Sequence, residues 1–114
     1  MDRITIISRK PPYGLINAAE AVRHTLGAAD DFSATLLLID NGIYLAKKGQ
    51  DMAETGFSNL EEALSLGEGV EICIDRDSKL SRGLKEEDLI DGAKVIGSED
   101  ITDIIKKSHS TMIF

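Results

Sequence analysis

The sequence predicts an α/β protein: a single three-layer α/β/α domain over residues 1–114, with a mainly parallel sheet of about five strands. Three observations lead there. β-branched apolar runs alternate along the chain with stretches of helical spacing, the pattern of strands joined by crossover helices. The runs are apolar on both sides, as strands covered on each face must be. A chain of 114 residues holds one core and is too short for two.

Taken in order, Arg3 to Ser8 (Arg-Ile-Thr-Ile-Ile-Ser) reads as the first strand. Pro11 and Pro12 supply no backbone donors and fix φ, so residues 9–14 form a loop. Leu15, Ala18, Ala19, Val22 and Leu26 then recur at helical spacing, and Gly27 is expected to stop that helix. Phe32 to Ile39 is an apolar strand bounded by Asp30-Asp31 and Asp40-Asn41-Gly42. A short helix is expected over Gly42 to Lys47, followed by a polar connection over residues 48–57. Ser58 with Glu61 makes a capping box for a helix whose apolar face is Leu60, Ala63 and Leu64, with Gly67 and Gly69 at its end.

Val70, Ile72 and Ile74 mark the next strand, expected to feed a polar loop running to Arg82-Gly83-Leu84. Glu86 to Asp91 reads as one or two helical turns and Lys94 to Ile96 as a short strand. Ser98 is expected to cap the last helix. Its first turn carries Glu99 and Asp100 and its last turn Lys106 and Lys107, both favourable to the helix dipole. Ile101, Ile104 and Ile105 are its expected buried face, and residues 110–114 form a final strand.

Composition narrows the function. Thirteen basic residues face 20 acidic ones, for a net charge of −7, which argues against direct nucleic-acid binding, a process that neutralises phosphates with Lys and Arg. Negligible affinity for bare tRNA is expected. No run of 18 apolar residues occurs, so no membrane span is expected, and Met1-Asp2-Arg3-Ile4 lacks a signal-peptide pattern. A single cysteine fits a reducing cytoplasm. Neither the dinucleotide glycine fingerprint nor a phosphate-binding P-loop is present. Cys73, His24 and His109 lack metal-ligand spacing, so neither a metal nor an organic cofactor is expected.

Cys73 is the candidate reactive atom. It lies toward the carboxyl end of its strand, where chemistry collects in open α/β sheets. Buried cysteines also serve as small hydrophobes, and a structural role stands beside the reactive one. Arg76, Lys79 and Arg82 favour a thiolate, whereas Glu71, Asp75 and Asp77 oppose it. Exposure separates the two readings.

Three segments in order carry a resemblance: Pro12-Tyr13-Gly14 before a small-residue helix, Asp40-Asn41-Gly42-Ile43-Tyr44 after the second strand, and Val70-Glu71-Ile72-Cys73 with Arg82-Gly83-Leu84. Together the sequence resembles the DsrE/DsrF-like family over nearly its whole length. The resemblance implies a cytoplasmic sulfur-relay protein that takes sulfane sulfur from a donor protein on Cys73, as a persulfide, and passes it to an acceptor thiol. The alternative it leaves open is a non-catalytic structural subunit or interaction module of the same fold. It further implies a pocket lined by Tyr13, Gly14, Asn41, Gly42 and Arg82, and a homo- or hetero-oligomer, with a trimer or hexamer favoured. The segment from Cys73 to Arg82 is longer and more charged than the family pattern.

Overall fold

The computed structural model describes residues 2–12, 16–48 and 69–114. Tyr13, Gly14 and the helix expected from Ser58 lie outside the described residues, as does the polar connection beyond Lys48. The elements are β1 (Arg3–Ser8), α1 (Asn17–Ala28), β2 (Ser33–Leu38), a 3-10 helix (Asp40–Ala46), β3 (Val70–Asp75), α2 (Arg76–Ser81), a second 3-10 turn (Glu86–Asp88), β4 (Ala93–Ile96), α3 (Ser98–Lys107) and β5 (Ser110–Ile113). The strands form one sheet in the order β4-β3-β2-β1-β5, and each neighbouring pair is parallel. The architecture is the α/β sheet that the alternating pattern predicts.

Side-chain alternation divides the core in two. Ile4 and Ile6 of β1, Leu36 and Leu38 of β2, and Ile72 and Ile74 of β3 point to one face. There they pack against Ala18, Ala21 and Val22 of α1, and against Ile43, Leu45 and Ala46 of the 3-10 helix. Burying each of the larger aliphatic chains contributes about 1.5–3 kcal/mol, so among the described residues this face supplies most of the apolar stabilisation. The intervening residues Ile7, Leu37 and Cys73 point to the other face, where Ile101 and Ile104 of α3 lie over them. A chain of hydroxyl bonds ties down the end of that helix: Thr5 bonds to Ser108, whose Oγ donates to the Ile104 carbonyl at 2.7 Å.

Four local expectations need correction. Gly27 does not stop α1, which runs to Ala28; a glycine can be carried within a last turn at a cost of about 1 kcal/mol. Residues 76–81 form a helix rather than a polar loop, because Asp75 caps it by accepting the Ser78 N–H at 3.1 Å. Ser98 is the first helical residue, and Gly97 occupies the cap position without a side-chain bond. Ile105 is 40% exposed, since it sits one helical step beyond the sheet-facing Ile101 and Ile104.

Two glycines respond oppositely to an added methyl. At Gly42 a Cβ would fall inside contact distance of the Ser8 carbonyl, a backbone atom that cannot rotate away. Gly42→Ala is expected to cost about 3 kcal/mol in chemical denaturation. At Gly27 a Cβ meets nothing within 4 Å, and Gly27→Ala is expected to add about 0.5–1 kcal/mol by the same measurement.

Candidate functional site: a sheltered thiol and a polar rim

Cys73 sits on β3 in register with Leu37 of β2 and Lys94 of β4, so its side chain must share a sheet face with theirs. It is 0% exposed and packs with Ile7 and Leu37, with Ile39, Ile96, Ile101 and Ile104 around them. The thiol donates to Glu71 Oε1 at 3.7 Å, from two residues earlier on the same face. Glu71 in turn is held by Lys94 Nζ at 3.2 Å and Arg3 at 3.9 Å.

These surroundings push the thiol up from its ordinary 9.0 to about 11. Burial is the largest cause, followed by the charge of Glu71 and the hydrogen bond to it; Lys94 and Arg3 pull weakly the other way. The cations that bear on the sulfur are therefore Lys94 and Arg3, which the sequence reading did not single out. Arg76, Lys79 and Arg82 belong to α2 and its end instead. A protonated, enclosed thiol is a poor nucleophile, because attack requires the thiolate and access to it.

The other candidate residues meet elsewhere. Arg82 Nε donates to Asn41 Oδ1 at 2.9 Å, joining the end of α2 to the 3-10 helix after β2. Asp40 turns the chain there with φ of 51°, a left-handed conformation that Asp tolerates better than most residues. Its N–H donates to Ser78 Oγ at 2.8 Å, and that hydroxyl donates to the Asp75 carboxylate. Arg9 Nε reaches the Asp40 carboxylate at 3.3 Å. Asn41, Gly42 and Arg82 thus join a polar rim at the carboxyl ends of β1, β2 and β3. The 3-10 helix that carries Asn41 and Gly42 packs on the α1 face, whereas Cys73 points to the α3 face.

The signal that the loop reading passed over is Asp75, a capping residue type directly after a strand, three residues before Ser78. Among the described residues, no group of His, Cys, Asp or Glu side chains is placed to hold a metal ion. His24 and His109 are both exposed, on α1 and just before β5. Among the described residues, no helix is long and apolar enough to cross a membrane.

The raised thiol pKa carries a stability consequence. The fold favours the neutral thiol, so that contribution is complete below pH 9 and is lost as pH rises toward 11. Wild type is expected to lose about 2–3 kcal/mol more than Cys73→Ala across that interval. Parallel denaturant titrations of the two proteins check the difference.

Comparison with known proteins agrees with this architecture. The model of the DsrE/DsrF-like family matches residues 2–114. An uncharacterized protein of Methanocaldococcus jannaschii is 36% identical over 115 residues, covering 98% of this chain and 99% of that protein. The intracellular sulfur oxidation protein DsrF of Allochromatium vinosum is 33% identical over 126 residues, covering 95% of this chain and 93% of its own length. The crystal structure of the ychN protein from E. coli superposes with a TM-score of 0.86 at 19% identity, with both chains fully covered, and shares the fold. A family match over nearly the whole length, together with relatives above 30% identity, makes this chain a member of the DsrE/DsrF-like family.

Proposed function

We propose that this chain is a subunit of a cytoplasmic sulfur-relay assembly in which Cys73 is a packed structural thiol and the sulfur-bearing cysteine belongs to another protein. The family match and the likeness to a protein named for intracellular sulfur oxidation support the sulfur-relay setting. The observation that carries the subunit role is the enclosure of Cys73 at 0% exposure among aliphatic side chains, with its pKa pushed up to about 11. Both disfavour the thiolate that sulfane transfer needs. The assembly is a homo- or hetero-oligomer in this reading, and its donor and acceptor partners are proteins, since a net charge of −7 disfavours nucleic acid.

One observation favours the carrier reading. Among the described residues, the helix over Cys73 is the ten-residue α3, which has no fully buried residue. Lys94 and Arg3 stand close enough to stabilise a thiolate once α3 moved aside. In that reading Cys73 accepts sulfane sulfur as a persulfide and yields it to a partner thiol.

Thiol chemistry separates the two. In the subunit reading, native Cys73 resists iodoacetamide until denaturant is added, and a persulfide donor leaves the protein's mass unchanged. Cys73→Ser then costs about 1–3 kcal/mol, because it buries a hydroxyl among apolar groups. Rapid native alkylation, a mass gain of one sulfur atom and an undiminished melting temperature in Cys73→Ser would together assign the carrier role instead.

A further inference from the structure

We propose that Glu71 is the positioning residue that holds Cys73 as a protonated, unreactive thiol, by accepting its S–H hydrogen bond and engaging the two cations that would otherwise serve a thiolate. The inference rests on the subunit reading of Cys73 and names the side chain that enforces it.

Glu71 and Cys73 lie two residues apart on β3, so the pleat sets both side chains on the α3 face. Cys73 Sγ donates to Glu71 Oε1 at 3.7 Å, and a thiol that donates must hold its proton. A thiolate at that distance from the carboxylate would set two negative charges together where water screens them poorly. The same Oε1 accepts from Lys94 Nζ at 3.2 Å, and Oε2 faces Arg3 at 3.9 Å. Lys94 is the partner of Cys73 across the β3–β4 ladder, yet its ammonium goes to Glu71. Thr35 of β2 shows which way the carboxylate turns. It stands in register with Glu71 and is fully buried, and among the described residues its hydroxyl has no hydrogen-bond partner. Glu71 leaves that neighbouring donor unused and faces the thiol and the lysine instead.

The charged groups that act on the sulfur come from three strands: Glu71 from β3, Lys94 from β4 and Arg3 from β1. Around the sulfur, β2 presents Leu37 and α3 presents Ile101 and Ile104, all apolar. With Glu71 in place, one of the two cations is answered. With a neutral amide there, both would face the sulfur unanswered. Burial raises the thiol most, and Glu71 adds to that by its charge and its hydrogen bond, while Lys94 and Arg3 lower it. Burial belongs to the packing as a whole, whereas the share of Glu71 can be removed by one substitution. A reactive thiol needs cations turned to the sulfur and no carboxylate in contact with it. Position 71 therefore divides a silent cysteine from one that can ionise.

The test is a pH titration of Cys73 in wild type and Glu71→Gln, followed by the ultraviolet absorbance of the thiolate. Each protein is read against its own Cys73→Ala version, with circular dichroism as the folding control at every pH. Gln keeps the size and polar end of the side chain but not its charge, so the midpoint is expected to fall by about 1–2 units. A carboxylate that only braced the strands would lower the melting temperature on substitution and leave the midpoint where it was. A wild-type midpoint near 11 that Glu71→Gln does not move overturns this proposal alone. A wild-type midpoint at or below the ordinary 9.0 overturns the subunit reading and this proposal with it. Infrared spectroscopy of wild type needs no variant and decides the matter even if Glu71→Gln does not fold. The S–H stretch of the single cysteine should lie below that of a thiol without an acceptor, and an unshifted band overturns the proposal.

Discussion

The parallel ladder β3-β2-β1 is the constraint on which the rest of this molecule depends. Its register puts Ile7, Leu37 and Cys73 in one row and Ile6, Leu36 and Ile72 in the next, on opposite faces. A parallel sheet buried on both sides needs cover on both sides. α1 and the 3-10 helix Asp40–Ala46 cover one face broadly. On the other, the described cover is α3, whose Ile101 and Ile104 reach the central strands and leave β5 in the open. Among the described residues, the sheltered cysteine follows from the place of α3 over the central strands.

The same arrangement explains why Cys73 was the hardest residue to read. Its alternation with Ile72 and Ile74 was visible, and so was its position near the end of a strand. What decides its chemistry is which face those neighbours take and what lies above them. Ile101 and Ile104 come from 28 and 31 residues further on, and Glu71, Lys94 and Arg3 come from three strands. Only the folded chain assembles them. The strands themselves were legible because β-branched runs and their flanking turn residues act locally, and β1 and β5 lie close to where the periodicity places them.

The misread elements failed for local reasons. A polar hexapeptide after β3 carries little helical periodicity, yet Asp75 supplies a cap and Ser78 a buried hydroxyl, and those two bonds make α2. Gly27 has the composition of a helix stop but sits within the last turn of α1. Ile105 follows the apolar pattern of α3 but lies a step round from the narrow contact that a single helix makes with a twisted sheet. The rim residues Asn41 and Arg82 meet each other, while the sulfur faces the other way.

The pairing of β5 with β1 has a consequence for how the chain reaches this state. β1 and β2 are neighbours in sequence, joined through one helix, and can meet early. The β1–β5 ladder instead joins residues more than a hundred positions apart, with the Thr5–Ser108 bond spanning 103. Closing so long a loop costs entropy that few local contacts return until the central strands are in place. The seam between β1 and β5 is therefore expected to close late in folding. Until it closes, β1 keeps a free edge of its own, and this newly made protein is at its most vulnerable to mispairing.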